Sequence, residues 1–150
     1  MNKLLLCCLM SVTLITVGCS MSDTRPSHEY NQHLKNIELD VHRVDRGAVH
    51  AEIKNNLDKP VTIDWERSTI NNKQVVIDMT RDIKEPIENT ILPPHQKLSV
   101  TLYQRDNIFY RDPVLYQPGG YQTKEIQYPA VVSIMIDNVA NSKDVHFNGR

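Results

Sequence analysis

Val49-His50-Ala51-Glu52-Ile53, then after Lys54 Asn55-Asn56-Leu57-Asp58-Lys59-Pro60, then Val61-Thr62-Ile63-Asp64-Trp65: the chain alternates, turns and alternates again. Apolar residues at every second position line one face of an extended strand, and the β-branched side chains suit a pleated surface. The break between the two runs has its own chemistry. Asn and Asp tolerate left-handed backbone, and Pro60 has no N–H to continue a ladder. The pattern repeats outward. Ile37, Leu39 and Val41 alternate with Glu38 and Asp40, and Leu98, Val100 and Leu102 alternate with Ser99 and Thr101. Val75-Val76-Ile77, Ala130–Asp137 and Val145–Phe147 complete the set, with turn residues at Asp45-Arg46-Gly47, Asn71-Asn72-Lys73, Pro93-Pro94-His95 and Asn138–Lys143. No helical spacing is sustained. Seven short strands predict an all-β fold, a small antiparallel two-layer sandwich of immunoglobulin-like type, with Trp65 as a core filler. A transmembrane barrel is excluded on strand number and length, since it needs about eight or more strands of roughly 9–11 residues.

Composition agrees with one folded domain. Of 150 residues, 40% are hydrophobic and 23% charged, and the formal charge is −1, which fits neither a disordered acidic tail nor a basic nucleic-acid binder. Cys7, Cys8 and Cys19 all fall at the N-terminus, so no disulfide framework staples the rest.

That N-terminus begins Met1-Asn2-Lys3 and runs almost without polar interruption from Leu4 to Val17, ending in Gly18-Cys19. One cation, a short apolar run and a small residue form the layout of a secretory signal peptide, too short to span a bilayer comfortably. Thr16-Val17-Gly18-Cys19 resembles the lipobox of bacterial lipoproteins, with Thr16 where that family prefers Leu, Val or Ile. The resemblance implies a diacylglycerol on the Cys19 thiol, cleavage before Cys19 and a new amine open to acylation with a chain such as palmitate. With Ser20 rather than Asp next, it further implies sorting to the periplasmic face of the outer membrane of a diderm host. The chain then divides into a signal peptide (1–18), a lipidated polar tether (19–35) and a β-sandwich domain (36–150). Cleavage removes one cation and two cysteines, leaving a net charge of −2 and no free thiol for catalysis or zinc.

The remaining signal lies between residues 103 and 128, where five of the six tyrosines occur. Tyr103, Phe109, Tyr110, Arg111, Tyr116 and Tyr121 are the candidate partner-binding residues, because Tyr and Arg dominate interface hot spots. The same stretch also reads as a hairpin, with Pro118-Gly119-Gly120 joining Val114–Gln117 to Tyr121–Ile126. No catalytic residue and no metal ligand set stands out. The six histidines are scattered, there is no His-Glu-x-x-His, Gly-x-Ser-x-Gly or phosphate-loop pattern, and Asp64 and Glu66 read as solvated carboxylates on an outward strand face. No cofactor is implied.

These readings converge on a non-catalytic lipoprotein that binds or helps assemble another envelope protein. The membrane is a partner only through the lipid, and nucleic acid is not a partner. The alternative is an inhibitor or exclusion factor directed at an external enzyme, phage or plasmid machinery. The lipid itself has a direct test. Cys19→Ala is expected to abolish metabolic labelling with radioactive palmitate and to release the protein from the membrane fraction or leave it unprocessed.

Overall fold

The computed structural model describes residues 36–79 and 85–147. The segments read from sequence as signal peptide and tether, Cys19 included, lie outside the described residues. The strands are β1 (Ile37–Val44), β2 (Val49–Asn55), β3 (Val61–Ile70), β4 (Lys73–Val76), β5 (Thr90–Leu92), β6 (Lys97–Gln104), β7 (Ile108–Arg111), β8 (Gly120–Thr123), β9 (Ala130–Ile136) and β10 (Val139–Val145). A 3-10 turn, Arg105–Asn107, connects β6 to β7.

The all-β class stands, but the two-layer immunoglobulin-like sandwich does not. Seven antiparallel strands follow one hydrogen-bonded path, β1-β2-β6-β4-β3-β9-β10, forming a nearly closed barrel; β5 adds to β3 alone. The decisive element is β4. Its first half, Lys73 and Gln74, pairs with Ile70 and Thr69 of β3, and its second half, Val75 and Val76, pairs with Gln104 and Tyr103 of β6. Four residues therefore stitch together two groups of strands that would otherwise face each other as separate layers. The period-two pattern is the same in a sandwich and a barrel, because both bury one face of each strand. The outer edges of the path, β1 and β10, are clasped by an ion pair between Lys143 Nζ and Asp40 Oδ1 at 2.7 Å. The ammonium beside Asp40 holds its carboxyl below the usual carboxylate range.

The alternating residues meet inside. Val49, Ala51 and Ile53 of β2 face Val61, Ile63 and Trp65 of β3 and Val132, Ile134 and Ile136 of β9 across one apolar core. Trp65 is the largest fully buried side chain, and its Nε1–H donates to Thr90 Oγ1 at 2.8 Å, which satisfies its one polar atom. Outward positions are polar or charged, including Glu38, Asp40, Glu52, Lys54 and Lys97. That arrangement is the reverse of a membrane-spanning barrel, whose outer wall is apolar. Among the described residues no helix is long and apolar enough to cross a membrane.

Two turns have the backbone that Asn favours. Asn71 and Asn72 (φ 51° and 62°) join β3 to β4, and Asp137 and Asn138 (φ 47° and 64°) join β9 to β10. Paired positive φ values match the right-handed twist of the strands in a two-residue hairpin. The second turn corrects a boundary. Asn138–Lys143 reads in sequence as a separator, yet Val139 onward is strand, because Asn141 turns inward and is buried. Asp64 and Glu66 do not form a pair on a regular strand face. The β3–β9 register shifts between Asp64 and Thr69, buried Ser68 donates to the Asp64 carbonyl at 2.6 Å, and Arg67 Nε donates to Asp64 Oδ2 at 2.6 Å.

The loop after β2 is held by one buried side chain. Asn55 Nδ2 donates to the carbonyls of Lys59 (2.8 Å), Leu92 (3.1 Å) and Pro93 (3.1 Å), and its Oδ1 accepts from the Leu57 N–H at 3.0 Å. Alanine at this position strands those backbone groups away from water. Asn55→Ala is therefore expected to destabilise the domain by about 2–3 kcal/mol in a urea titration, with an unchanged slope.

Candidate functional site

The candidate site is the β7–β8 ribbon, which stands apart from the barrel as its own two-stranded sheet. Its root is polar and buried. Gln104, the last residue of β6, donates from Nε2 to the Ile70 carbonyl at 2.8 Å and accepts at Oε1 from Asn107 Nδ2 at 2.7 Å. Asn107 Nδ2 also donates to the Glu125 carbonyl at 3.1 Å, and the Lys124 N–H donates to the Asn107 carbonyl at 2.9 Å. The incoming and outgoing strands of the ribbon are thus fastened to each other and to β3 at one point.

The β1–β2 turn braces the other side of the root. The Ile126 N–H donates to the Arg46 carbonyl at 2.7 Å, and Arg46 pairs with Glu125 at 3.3 Å. Gly47 permits this close approach, since a Cβ there would lie 2.4 Å from Thr123 Cγ2. The turn is in turn held by a chain of hydrogen bonds among residues that no sequence motif groups together. His50 Nε2 meets Asp45 Oδ2 at 2.8 Å and His50 Nδ1 meets Thr101 Oγ1 at 3.0 Å. His50, with Arg43, holds the Asp45 carboxyl below its usual range. Tyr128 Oη donates to the Asp45 carbonyl at 2.7 Å, and its ring stacks on Phe147 at 5.6 Å. Histidine, carboxylate and hydroxyl serve here to fix a turn. Among the described residues no group of three or more His, Cys, Asp or Glu converges to hold a metal.

Above the root the register pairs Ile108 with Thr123, Phe109 with Gln122, Tyr110 with Tyr121 and Arg111 with Gly120. The partner of the Tyr121 strand is therefore Ile108–Arg111, not Val114–Gln117 as the sequence suggests. Pro113 and Pro118 lack N–H groups, so the ladder lapses there, and Val114 and Gln117 then close a smaller turn with reciprocal bonds of 3.1 and 2.7 Å. Pro118-Gly119-Gly120 lies on the flank of the ribbon rather than at its tip. Gly119 is fixed by space: a Cβ there would sit 2.6 Å from Tyr110 Oη and 2.8 Å from Pro113 Cδ.

Of the six residues singled out in the sequence, Phe109, Tyr110, Arg111, Tyr116 and Tyr121 share this ribbon. Tyr103 does not; it lies in β6 opposite Val76, half-buried. Tyr110 and Tyr121 meet edge to face with centroids 5.3 Å apart. The tip also carries residues that tyrosine and arginine counting overlooks, namely Val114 and Leu115, the latter 84% exposed. Beside it, Tyr116 is 97% exposed at φ 66°. A left-handed conformation costs a bulky residue on the order of 1 kcal/mol, and nothing in the fold recovers that cost through burial.

Burial, with the Asp45 carboxylate as a second contribution, pushes the Tyr128 hydroxyl from 10.0 up to about 12. A folded pKa above the unfolded one means that the protonated hydroxyl stabilises the fold fully below about pH 10 and loses that effect as pH rises to about 12. Urea midpoints of the unaltered chain are expected to fall over that window relative to Tyr128→Phe, and the two chains should run parallel between pH 7 and 9.

Comparison with known protein families, curated proteins and solved structures finds no match to this chain.

Proposed function

We propose that this chain is a lipid-tethered, non-catalytic module of the bacterial envelope, in which the barrel is a stand and the β7–β8 ribbon is the part that meets another protein. The observation that carries this reading is the ribbon tip. Leu115 and Tyr116 are the most exposed large apolar side chains of the described residues, and Tyr116 is held there in an unfavourable backbone conformation. A solvent-facing Leu-Tyr pair has little reason to persist in a small domain except as an anchor that fills a pocket on something else.

Direction supports the same reading. β1 begins with Ile37 opposite Asn55 and ends with Val44 opposite Val49, and β6 runs from Lys97 beside Lys54 to Leu102 beside Val49. The chain therefore enters from residue 36 at one end of the barrel and the ribbon leaves from Gln104 at the other. Eight residues of β1 separate the two ends by about 26 Å. A chain fastened through Cys19 would present its ribbon away from the point of entry. Tethering raises the local concentration of such a ribbon, so a modest interface is occupied.

A photo-crosslinking amino acid placed at Leu115 or Tyr116 of the full chain in intact cells is expected to capture a discrete envelope protein. The same group at Ser99, on the outer barrel wall, should not. Failure of both tip positions to capture anything above the Ser99 background refutes the proposal.

A further inference from the structure

The two kinds of strand edge in this molecule are treated differently. The barrel edges β1 and β10 carry Glu38, Asp40, Arg43, Lys143 and Asp144 and are clasped to each other by the Lys143–Asp40 pair. Charged side chains of this kind guard an edge against pairing with another chain. β7 reads Ile108-Phe109-Tyr110-Arg111, with Arg111 its one charge and no Lys or Pro, and among the described residues it has β8 as its one strand neighbour. A two-stranded ribbon is marginal by itself, and further strands complete it.

The phase of the ribbon ladder says which backbone groups face outward. The bond from the Lys124 N–H to the Asn107 carbonyl makes that pair a bonded one. Bonded pairs recur at every second residue of an antiparallel ladder. Phe109 with Gln122 and Arg111 with Gly120 are then bonded pairs, and Tyr110 turns its N–H and carbonyl to the outer edge of β7. Tyr121 does the same on β8, but the root of β8 is occupied by the β1–β2 turn, where Gly47 abuts Thr123.

We infer that β7 pairs antiparallel with β7 of a second copy of this chain, about a two-fold axis through Tyr110. In this register Tyr110 opposes its own equivalent as a bonded pair, and Arg111 opposes Phe109 of the second copy twice over. Those flanking positions are non-bonded pairs, in which side chains approach most closely. A guanidinium over an exposed aromatic ring is a favourable contact, and the two-fold supplies it twice. Neighbouring registers are worse. Centring on Arg111 sets Arg against Arg, and centring on Phe109 sets Arg111 against Asn107, which is buried in the ribbon root. The product is a four-stranded sheet with a barrel at each end and four tyrosines, Tyr110 and Tyr121 of both copies, on one face. This goes beyond the proposed function, since it concerns the chain's association with itself.

The test uses the full chain in membranes. After mild oxidation Tyr110→Cys is expected to give a disulfide-linked dimer on a non-reducing gel, because directly opposed bonded residues lie about 5.5 Å apart at Cα. Tyr116→Cys, away from the axis, is expected to show only the background of the unaltered chain. In sedimentation of the detergent-extracted protein, Arg111→Glu should raise the dimer dissociation constant by about tenfold, with the far-ultraviolet circular dichroism of the folded chain unchanged. A monomeric unaltered chain overturns the inference, as does a Tyr110→Cys dimer no stronger than background or matched by Tyr116→Cys. If a tip crosslinker captures another protein while the chain sediments as a monomer, this inference fails and the proposed function stands.

Discussion

The buried amide of Gln104 is the point through which the rest of the structure is connected. Its Nε2 donates to the Ile70 carbonyl of β3, and its Oε1 accepts from Asn107 at the root of the ribbon. Between those two bonds lies β4, which pairs half with β3 and half with β6. A polar group taken out of water must find partners, and each unmet donor or acceptor costs about 1–3 kcal/mol. Gln104 meets that requirement by reaching both ways. One side chain thereby closes the barrel between β3 and β6 and sets where the ribbon departs.

Hydrogen bonds at the root bear on the role proposed for the exposed tip. Asn107, Lys124, Glu125, Ile126 and Arg46 bind the ribbon's two strands to the barrel and to the β1–β2 turn, and His50 and Tyr128 hold that turn through Asp45. An interface residue that is held in place before contact forfeits less entropy on binding than one on a floppy loop. On the proposed reading, Leu115, Tyr116 and the Tyr110–Tyr121 pair would be presented in that manner, on a scaffold whose other outward positions are mostly charged or polar.

Much of this was legible in the residues themselves. Alternation picked out Val49–Ile53, Val61–Trp65 and Leu98–Leu102 as strands and their apolar members as core. Asn71-Asn72 marked a hairpin turn because Asn accepts positive φ. Residues 103–128 stood out by composition, and five of the six side chains chosen there do share one ribbon. Other features were not legible. Tyr103 belongs to β6 and the barrel wall, since its neighbour across the sheet is Val76 of a strand nearly thirty residues earlier in the chain. The Asp45–His50–Thr101 chain joins the β1–β2 turn and β2 to β6, whose Thr101 lies 51 residues beyond His50. Val114 and Leu115 read in sequence as part of a hairpin strand, Val114–Gln117, and not as an exposed tip.

Local chemistry by itself determined that this chain is built from short antiparallel strands, where most of them turn, and which faces are apolar, because side-chain alternation and Asn or Pro backbone preferences act over a few residues. The resemblance of Thr16–Cys19 to a lipobox likewise rests on local order alone, and it falls outside the described residues. Tertiary structure alone decided between sandwich and barrel, since that choice rests on β4 bridging β3 to β6, two strands distant from each other in sequence. It alone decided which of the aromatic residues would be buried and which left in solvent, because burial is a property of what packs from elsewhere in the chain.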